Sequence, residues 1–315
     1  MKTSVIIPVY NAEKFVKKAV ESALQQKETG EVLLIEDGSL DNGLKICKEL
    51  ELSHEKVRLF RHPGGENRGA GATRNLGIKK ARYEYIAFLD ADDYYLPERF
   101  STAKNILKKN KNIDGVYEAI GIHFYDRQVK ENWISRGGEM LTTMESSVKP
   151  EALFNWLLSG NKGYITLDGL VVKRKLFELC GYFFEHLKLH QDTAILLQLA
   201  AFGKLVPGKL YIPVAIRGVH AGNRSTQNKN ALKTRFLLWN TLFAWALEKK
   251  LNIRKLVLLY RKDIEASCRL VKRTKTLNPN PWGRAILLCQ KMASHPVLFI
   301  GAAADFLIYR LSDNE

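Results

Sequence analysis

The chain has 315 residues, 46% hydrophobic and 26% charged, with 22 Gly and 9 Pro. That balance buries a full core and excludes a disordered, collagen-like or disulfide-stapled chain. Lys and Arg outnumber Asp and Glu by 49 to 33, a net charge of +16, which points to an anionic partner such as nucleic acid, a phosphorylated ligand or an acidic membrane.

Cys47, Cys180, Cys268 and Cys289 form no C-x-x-C pair and no zinc-type Cys/His spacing, so they read as reduced thiols. Met1 to Ile7 holds too short an apolar run for a secretory signal, and a cytoplasmic location is expected.

Up to about residue 110, apolar runs alternate with amphipathic stretches, the pattern of a mostly parallel α/β sheet flanked by helices. Strands are predicted at Ser4 to Val9, Val32 to Glu36, Val57 to Arg61 and Tyr85 to Leu89. Helices are predicted at Ala12 to Gln26, where Phe15, Val16, Ala19, Val20, Ala23 and Leu24 share a face, at Asp41 to Leu50 and at Ala70 to Lys80. Further on come a strand at Gly115 to Phe124, a polar loop from Arg127 to Gly138 and a helix at Glu151 to Leu158. The remaining expectations are a strand at Ile165 to Val172, a helix from Lys175 to Cys180 ended by Gly181, a helix from Asp192 to Ala201, and an edge segment from Leu205 to Ile212 broken by Pro207.

From Ala231 the chain reads as helical. Residues 230 to 315 hold 15 Lys and Arg against 6 Asp and Glu, interleaved with Phe236-Leu237-Leu238-Trp239 and Leu256-Val257-Leu258-Leu259. Such helices suit an anionic bilayer surface or a basic cap on the preceding domain. Lys291, His295-Pro296 and Asp305 interrupt Ala285 to Leu311, so a spanning helix is not expected.

In an open parallel sheet, ligands bind beyond the carboxyl ends of the strands. Those ends here are Pro8-Val9-Tyr10-Asn11, Glu36-Asp37-Gly38-Ser39 and Asp90-Ala91-Asp92-Asp93, so a basic protein has gathered carboxylates where a ligand would sit. Asp90 and Asp92, one residue apart after a buried strand, suit one hard divalent cation, Mg²⁺ or Mn²⁺, that neutralises a diphosphate. A solvated turn is the plain alternative for a D-x-D. Neither G-x-G-x-x-G after the first strand nor G-x-x-x-x-G-K-[ST] is present, which disfavours hydride transfer and P-loop phosphoryl transfer.

These residues resemble the family 2 glycosyltransferases of the GT-A, Rossmann-like fold. The resemblance spans about residues 4 to 226 and rests on Val5 to Asn11, Ile35 to Asp41, Asn67-Arg68-Gly69 with Ala72 to Gly77, and Phe88 to Asp93. It implies a catalytic domain over 1–226, with a nucleotide-binding half at 1–110 and an acceptor half at 111–226, then a basic helical region at 227–315. It implies that Pro8, Tyr10 and Asn11 line a nucleoside pocket and that Asp37 accepts a hydrogen bond from the base, most often uracil. Asp90, Ala91 and Asp92 would form the D-x-D, with Asp92 on the metal and Asp90 on the ribose or supporting the metal. Arg74 would meet the sugar or a diphosphate oxygen, or else pair with a strand-end carboxylate.

His190-Gln191-Asp192 is similar to the family's catalytic-base segment, which makes Asp192 the general base. The family usually has an acidic residue where Gln191 stands. As a residue type, Asp192 also suits the N-cap of a helix beginning at Thr193. Arg217, His220 and Ser225 are similar to the late nucleotide-closing loop, so His220 would touch the metal or diphosphate while Arg217 and Arg224 neutralise the leaving group.

The expectation is a metal-dependent inverting glycosyltransferase that uses a nucleotide-sugar, a UDP-sugar by preference, and a glycan or lipid-linked acceptor in cell-surface polysaccharide synthesis. Peripheral contact with the inner membrane face through 230–315 belongs to that expectation, and nucleic-acid binding does not. The rivals are a non-catalytic nucleotide-sugar-binding relative, suggested by Gln191, and a sugar nucleotidyltransferase, for which Pro8 to Asn11 lacks the glycine-rich basic loop.

Overall fold

The structure is a computed structural model that describes residues 1–135, 137–160, 162–220, 231–273 and 282–303. The chain divides into two compact units, Met1–Gln227 and Asn228–Glu315.

In the first unit, β1 (Thr3–Val9), α1 (Val16–Leu24), β2 (Thr29–Glu36), α2 (Gly43–Ser53), β3 (Val57–Arg61), α3 (Ala70–Lys80) and β4 (Tyr85–Phe88) follow one another as strand and crossover helix. Then come β5 (Tyr94–Tyr95), α4 (Ser101–Lys109), β6 (Gly115–Tyr117), β7 (Ile120–Phe124), α5 (Arg127–Ser135), β8 (Leu141–Thr142) and α6 (Pro150–Ser159). The unit closes with β9 (Leu170–Lys173), α7 (Lys175–Cys180), α8 (Gln191–Phe202), β10 (Leu205–Pro207) and β11 (Ala215–Val219).

The main sheet has the order β10-β6-β9-β4-β1-β2-β3. Its strands are parallel except for β9, which runs against both β4 and β6. Val5, Ile6, Ile7 and Val9 of β1 and Ile86, Ala87 and Phe88 of β4 are fully buried, as expected of strands covered on both faces. The first strand pairs with β2 on one side and β4 on the other, so a crevice opens at their carboxyl ends. A smaller sheet, β5-β11-β7-β8, stands beside that edge and brings the end of β11 to it.

Several expectations are corrected. The single strand at Gly115 to Phe124 divides into β6 and β7, which enter different sheets, because Glu118 between them turns inward to the fully buried Arg99 at 2.9 Å. The loop at Arg127 to Gly138 is largely the helix α5, started by the Asp126 carboxylate accepting from Val129 N–H at 3.0 Å and braced by Arg127–Glu131. The strand expected from Ile165 begins only at Leu170, since the Asp168 carbonyl is taken by Arg99 Nε and Nη2 at 3.0 and 2.8 Å. The edge segment from Leu205 stops at Pro207. The first helix starts at Val16 rather than Ala12.

In the second unit, α9 (Ala231–Glu248), α10 (Ile253–Arg273) and α11 (Trp282–Ser294) bury Leu242, Phe243, Leu259 and Tyr260, and the Phe243 and Tyr260 rings lie 4.8 Å apart. Fully buried Asp263 is paired with Lys291. Among the described residues, no helix is long and apolar enough to cross a membrane.

Candidate active site

A cavity of about 460 Å³ opens at the carboxyl edge of β1, β2 and β4. Pro8, Tyr10 and Asn11 line it from β1, and Asp37 from β2. Arg74 enters from α3, Asp90, Ala91 and Asp92 from the turn after β4, and Arg217 and His220 from β11 and its end. Asp192 is joined to this wall through Arg74, and Arg224 lies outside the described residues.

Backbone strain marks two of the supports. Asn11 takes a left-handed conformation (φ 51°), donates its N–H to Ser39 Oγ at 3.1 Å and accepts from Leu40 N–H at 2.8 Å, which ties the ends of β1 and β2 together. His190, at φ 63°, is the residue that precedes α8, so Asp192 stands in the helix's first turn and is not its N-cap.

Asp37 is nearly buried, and its two carboxylate oxygens accept from Arg68 and Gly69 N–H at 2.8 and 2.9 Å. Glu36 braces the turn that follows β2, accepting from Ser39 N–H and pairing with Arg61 at 2.6 Å.

Arg74 is 4% exposed, and its guanidinium reaches Asp90 Oδ1 at 2.6 Å and Asp192 Oδ1 at 3.3 Å. Burial alone would lower its pKa, but the charges of Asp90 and Asp192 outweigh burial and hold it above the usual value. Of the two roles open from sequence, the structure places Arg74 in the carboxylate pair.

Asp93, which closes the fourth motif, and Asp168, which lies outside every motif, are given no site role by the sequence. Asp93 Oδ1 accepts from Gly218 N–H at 2.8 Å, Asp168 Oδ1 accepts from Asp90 N–H at 3.0 Å, and the two carboxyls offer oxygens within 4.8 Å of each other and of Asp90. Burial, followed by the Asp168 charge, pushes Asp93 well above the usual carboxylate range. Burial, then the Asp90 charge, raises Asp168 to about 7. Gly218 admits no side chain, because a Cβ would lie 2.3 Å from the Asp92 carbonyl oxygen. Thus β11 is sewn directly onto the D-x-D turn. The sequence signal for Asp168 is an acid inside the apolar run from Ile165 to Val172, which a buried strand cannot hold without partners.

His220 Nε2 lies 3.2 Å from Asp92 Oδ2, and its ring stacks on Phe15 with centroids 4.9 Å apart. Tyr125 packs on Phe15 at 5.1 Å. Helical periodicity assigns Phe15 to the core face of α1, whereas it lines the cavity just before that helix begins. Burial and the Asp90 charge raise Asp92 against the opposing effect of His220.

Two acidic groupings could receive a cation. Asp90, Asp93 and Asp168 offer oxygens within 4.8 Å of one another, but Asp93 and Asp168 are buried and each already accepts from a backbone N–H. Asp92, His220 and the part-exposed Asp90 line the open cavity instead. Carboxylate oxygens with one imidazole fit Mn²⁺, and Mg²⁺ less closely.

Gln191 is buried, bonds the Leu187 carbonyl through its amide and lies against Gly71 of α3. It anchors the start of α8 without charge.

The sequence model of Glycosyl transferase family 2 matches residues 4–177. An uncharacterized glycosyltransferase of Rickettsia felis is 35% identical over 196 residues, 60% of this chain and 30% of its own length. The poly(ribitol-phosphate) beta-glucosyltransferase of Bacillus spizizenii is 36% identical over 115 residues, 36% of this chain and 18% of its own. This chain therefore spans well under half of either relative. The crystal structure of S. aureus TarS 1-349 in complex with UDP-GlcNAc superposes with a TM-score of 0.63 at 18% identity, covering 96% of this chain and 81% of that one, which supports the GT-A architecture. With more than half of its length matched, and with the motifs converging on one crevice, the chain belongs to glycosyl transferase family 2.

Proposed function

We propose that the chain is a metal-dependent inverting glycosyltransferase that moves a sugar from a UDP-sugar to a hydroxyl of a glycan or lipid-linked acceptor in cell-surface polysaccharide synthesis. The observation that carries this reading is the Arg74 bridge, which joins Asp90 of the D-x-D to Asp192, 102 positions further along the chain, on one wall of the cavity. Similarity to the Bacillus poly(ribitol-phosphate) glucosyltransferase and to the UDP-GlcNAc complex of TarS favours the substrate class.

In this reading, residues 1–110 bind the nucleotide and 111–226 the acceptor, with the basic region 227–315 resting on the inner membrane face. Pro8, Tyr10 and Asn11 enclose the nucleoside, and the lone pairs left on the Asp37 carboxylate accept the base N–H. Asp192 takes the proton of the acceptor hydroxyl as that oxygen bonds to the anomeric carbon. The bond from that carbon to the diphosphate oxygen breaks on the opposite face, and its electron pair leaves with UDP. Arg74 orients Asp90 and Asp192, while Arg217 and Arg224 offset the charge of the leaving group. A divalent cation held by Asp92, Asp90 and His220 would supply Lewis-acid stabilisation of the diphosphate.

The test is UDP release from a panel of UDP-sugars with Mn²⁺ or Mg²⁺. Turnover of one donor, abolished by EDTA and in both Asp92→Ala and Asp192→Asn, supports the assignment. No effect of any nucleotide on turnover or on melting temperature rejects it.

A further inference from the structure

Tyr164 is 40% exposed, and its hydroxyl faces Thr193 Oγ1 at 3.5 Å, one residue beyond the candidate base. Its neighbours locate it further: the phenol lies in the fields of Asp192, Arg217 and Arg74 together. Burial first, then the Asp192 charge, pushes that phenol up to about 12, so the hydroxyl stays a donor at neutral pH.

The residue has a built seat. Tyr164 N–H donates to the Thr143 carbonyl at 2.8 Å, and Gly163 pairs with Met144 across an isolated bridge. Gly163 has φ +87°, and a Cβ there would lie 2.4 Å from Thr143 O, so the two chains approach as closely as a glycine permits. Thr143 Oγ1 is in turn fixed to the Leu210 carbonyl at 2.7 Å. A half-exposed aromatic ring, rigidly mounted beside a carboxylate, matches the apolar face of a pyranose whose hydroxyl must reach that carboxylate.

Resting on the proposed transferase reading, we infer that Tyr164 is the acceptor platform: its ring stacks on the pyranose that presents the attacking hydroxyl to Asp192, and its own hydroxyl, with Thr193, fixes the orientation of that sugar. Tyr164 would thereby set acceptor specificity, while Tyr10 serves the donor.

The experiment uses the full chain with Mn²⁺, UDP-GlcNAc as probe donor and p-nitrophenyl pyranosides as probe acceptors. It measures glycoside-dependent UDP release, together with saturation transfer from protein to glycoside by NMR in the presence of UDP. Tyr164→Ala is expected to raise the glycoside KM about tenfold and to remove saturation transfer, with the donor KM unchanged and Tyr164→Phe closer to the parent. Equal changes in donor and glycoside KM, saturation transfer that persists in Tyr164→Ala, or no transfer to any glycoside from the parent protein would each overturn the platform. Failure of the parent protein to bind UDP in calorimetry is a separate result, which overturns the transferase reading itself.

Discussion

Arg74 Nη1 stands 3.3 Å from Asp192 Oδ1, a contact between residues 118 positions apart that carries the candidate base to the crevice at the carboxyl ends of the strands. The same guanidinium holds Asp90, so one buried cation sets the spacing of both carboxylates. Lys offers a single point charge in place of this fork. Arg74→Lys is therefore expected to reduce kcat by about 100-fold with little change in fold, and Arg74→Ala to lower the melting temperature as well, because two carboxylates lose their counter-charge. Steady-state kinetics beside thermal melts separate the two effects, and a Lys variant with parental kcat would contradict the bridge.

The buried Asp168 gives the protein an inverted acid response. Its carboxyl titrates near 3.8 when unfolded and about 7 in the fold, so the native state binds more protons between those values. Stability from this group is full below the unfolded value and is lost as pH rises through the folded one. In EDTA, the melting temperature of the parent should fall between about pH 4 and about pH 7 relative to Asp168→Asn, which removes the titration. Parallel pH profiles for the two proteins would count against a raised Asp168 carboxyl in the fold.

The Phe15 ring stacked on His220 orients the imidazole toward Asp92. Phe15→Ala is expected to weaken Mn²⁺ affinity in the presence of UDP by about tenfold, since groups that orient a ligand contribute that much. Titration calorimetry gives the value, and Phe15→Tyr should retain most of it.

Gln191 is buried, and its amide donates to the Leu187 carbonyl. A carboxylate there would face that oxygen without a donor. Gln191→Glu should cost about 1–3 kcal/mol at neutral pH and less in acid, where the side chain is protonated. Chemical denaturation at two pH values decides it. Unchanged stability with raised kcat would show instead that a second acid assists Asp192.

Much of the crevice is readable in order along the chain. The apolar runs at β1, β2 and β4 and the polar residues that end them are local features, and the parallel-sheet rule brings such ends together. The start of α8 is readable to within one residue, at Asp192 against Gln191, but the left-handed conformation of His190 just before it is not revealed by any periodicity. Phe15 reads as core because the apolar face of α1 continues one residue past the helix. Arg127 to Ser135 reads as a loop because a solvated helix has no apolar stripe to display.

What the sequence by itself determined was the α/β architecture, the family and the set of strand-end residues, since backbone ladders and side-chain periodicity are written over a few residues at a time. Only the tertiary structure decided that Arg74 bridges Asp90 and Asp192, that Asp168 supports the D-x-D turn through Asp90 N–H, and that Tyr164 faces Thr193 at the start of α8. Those relationships join positions tens to more than a hundred residues apart, and they are set by burial and by the need of every buried charge for a partner.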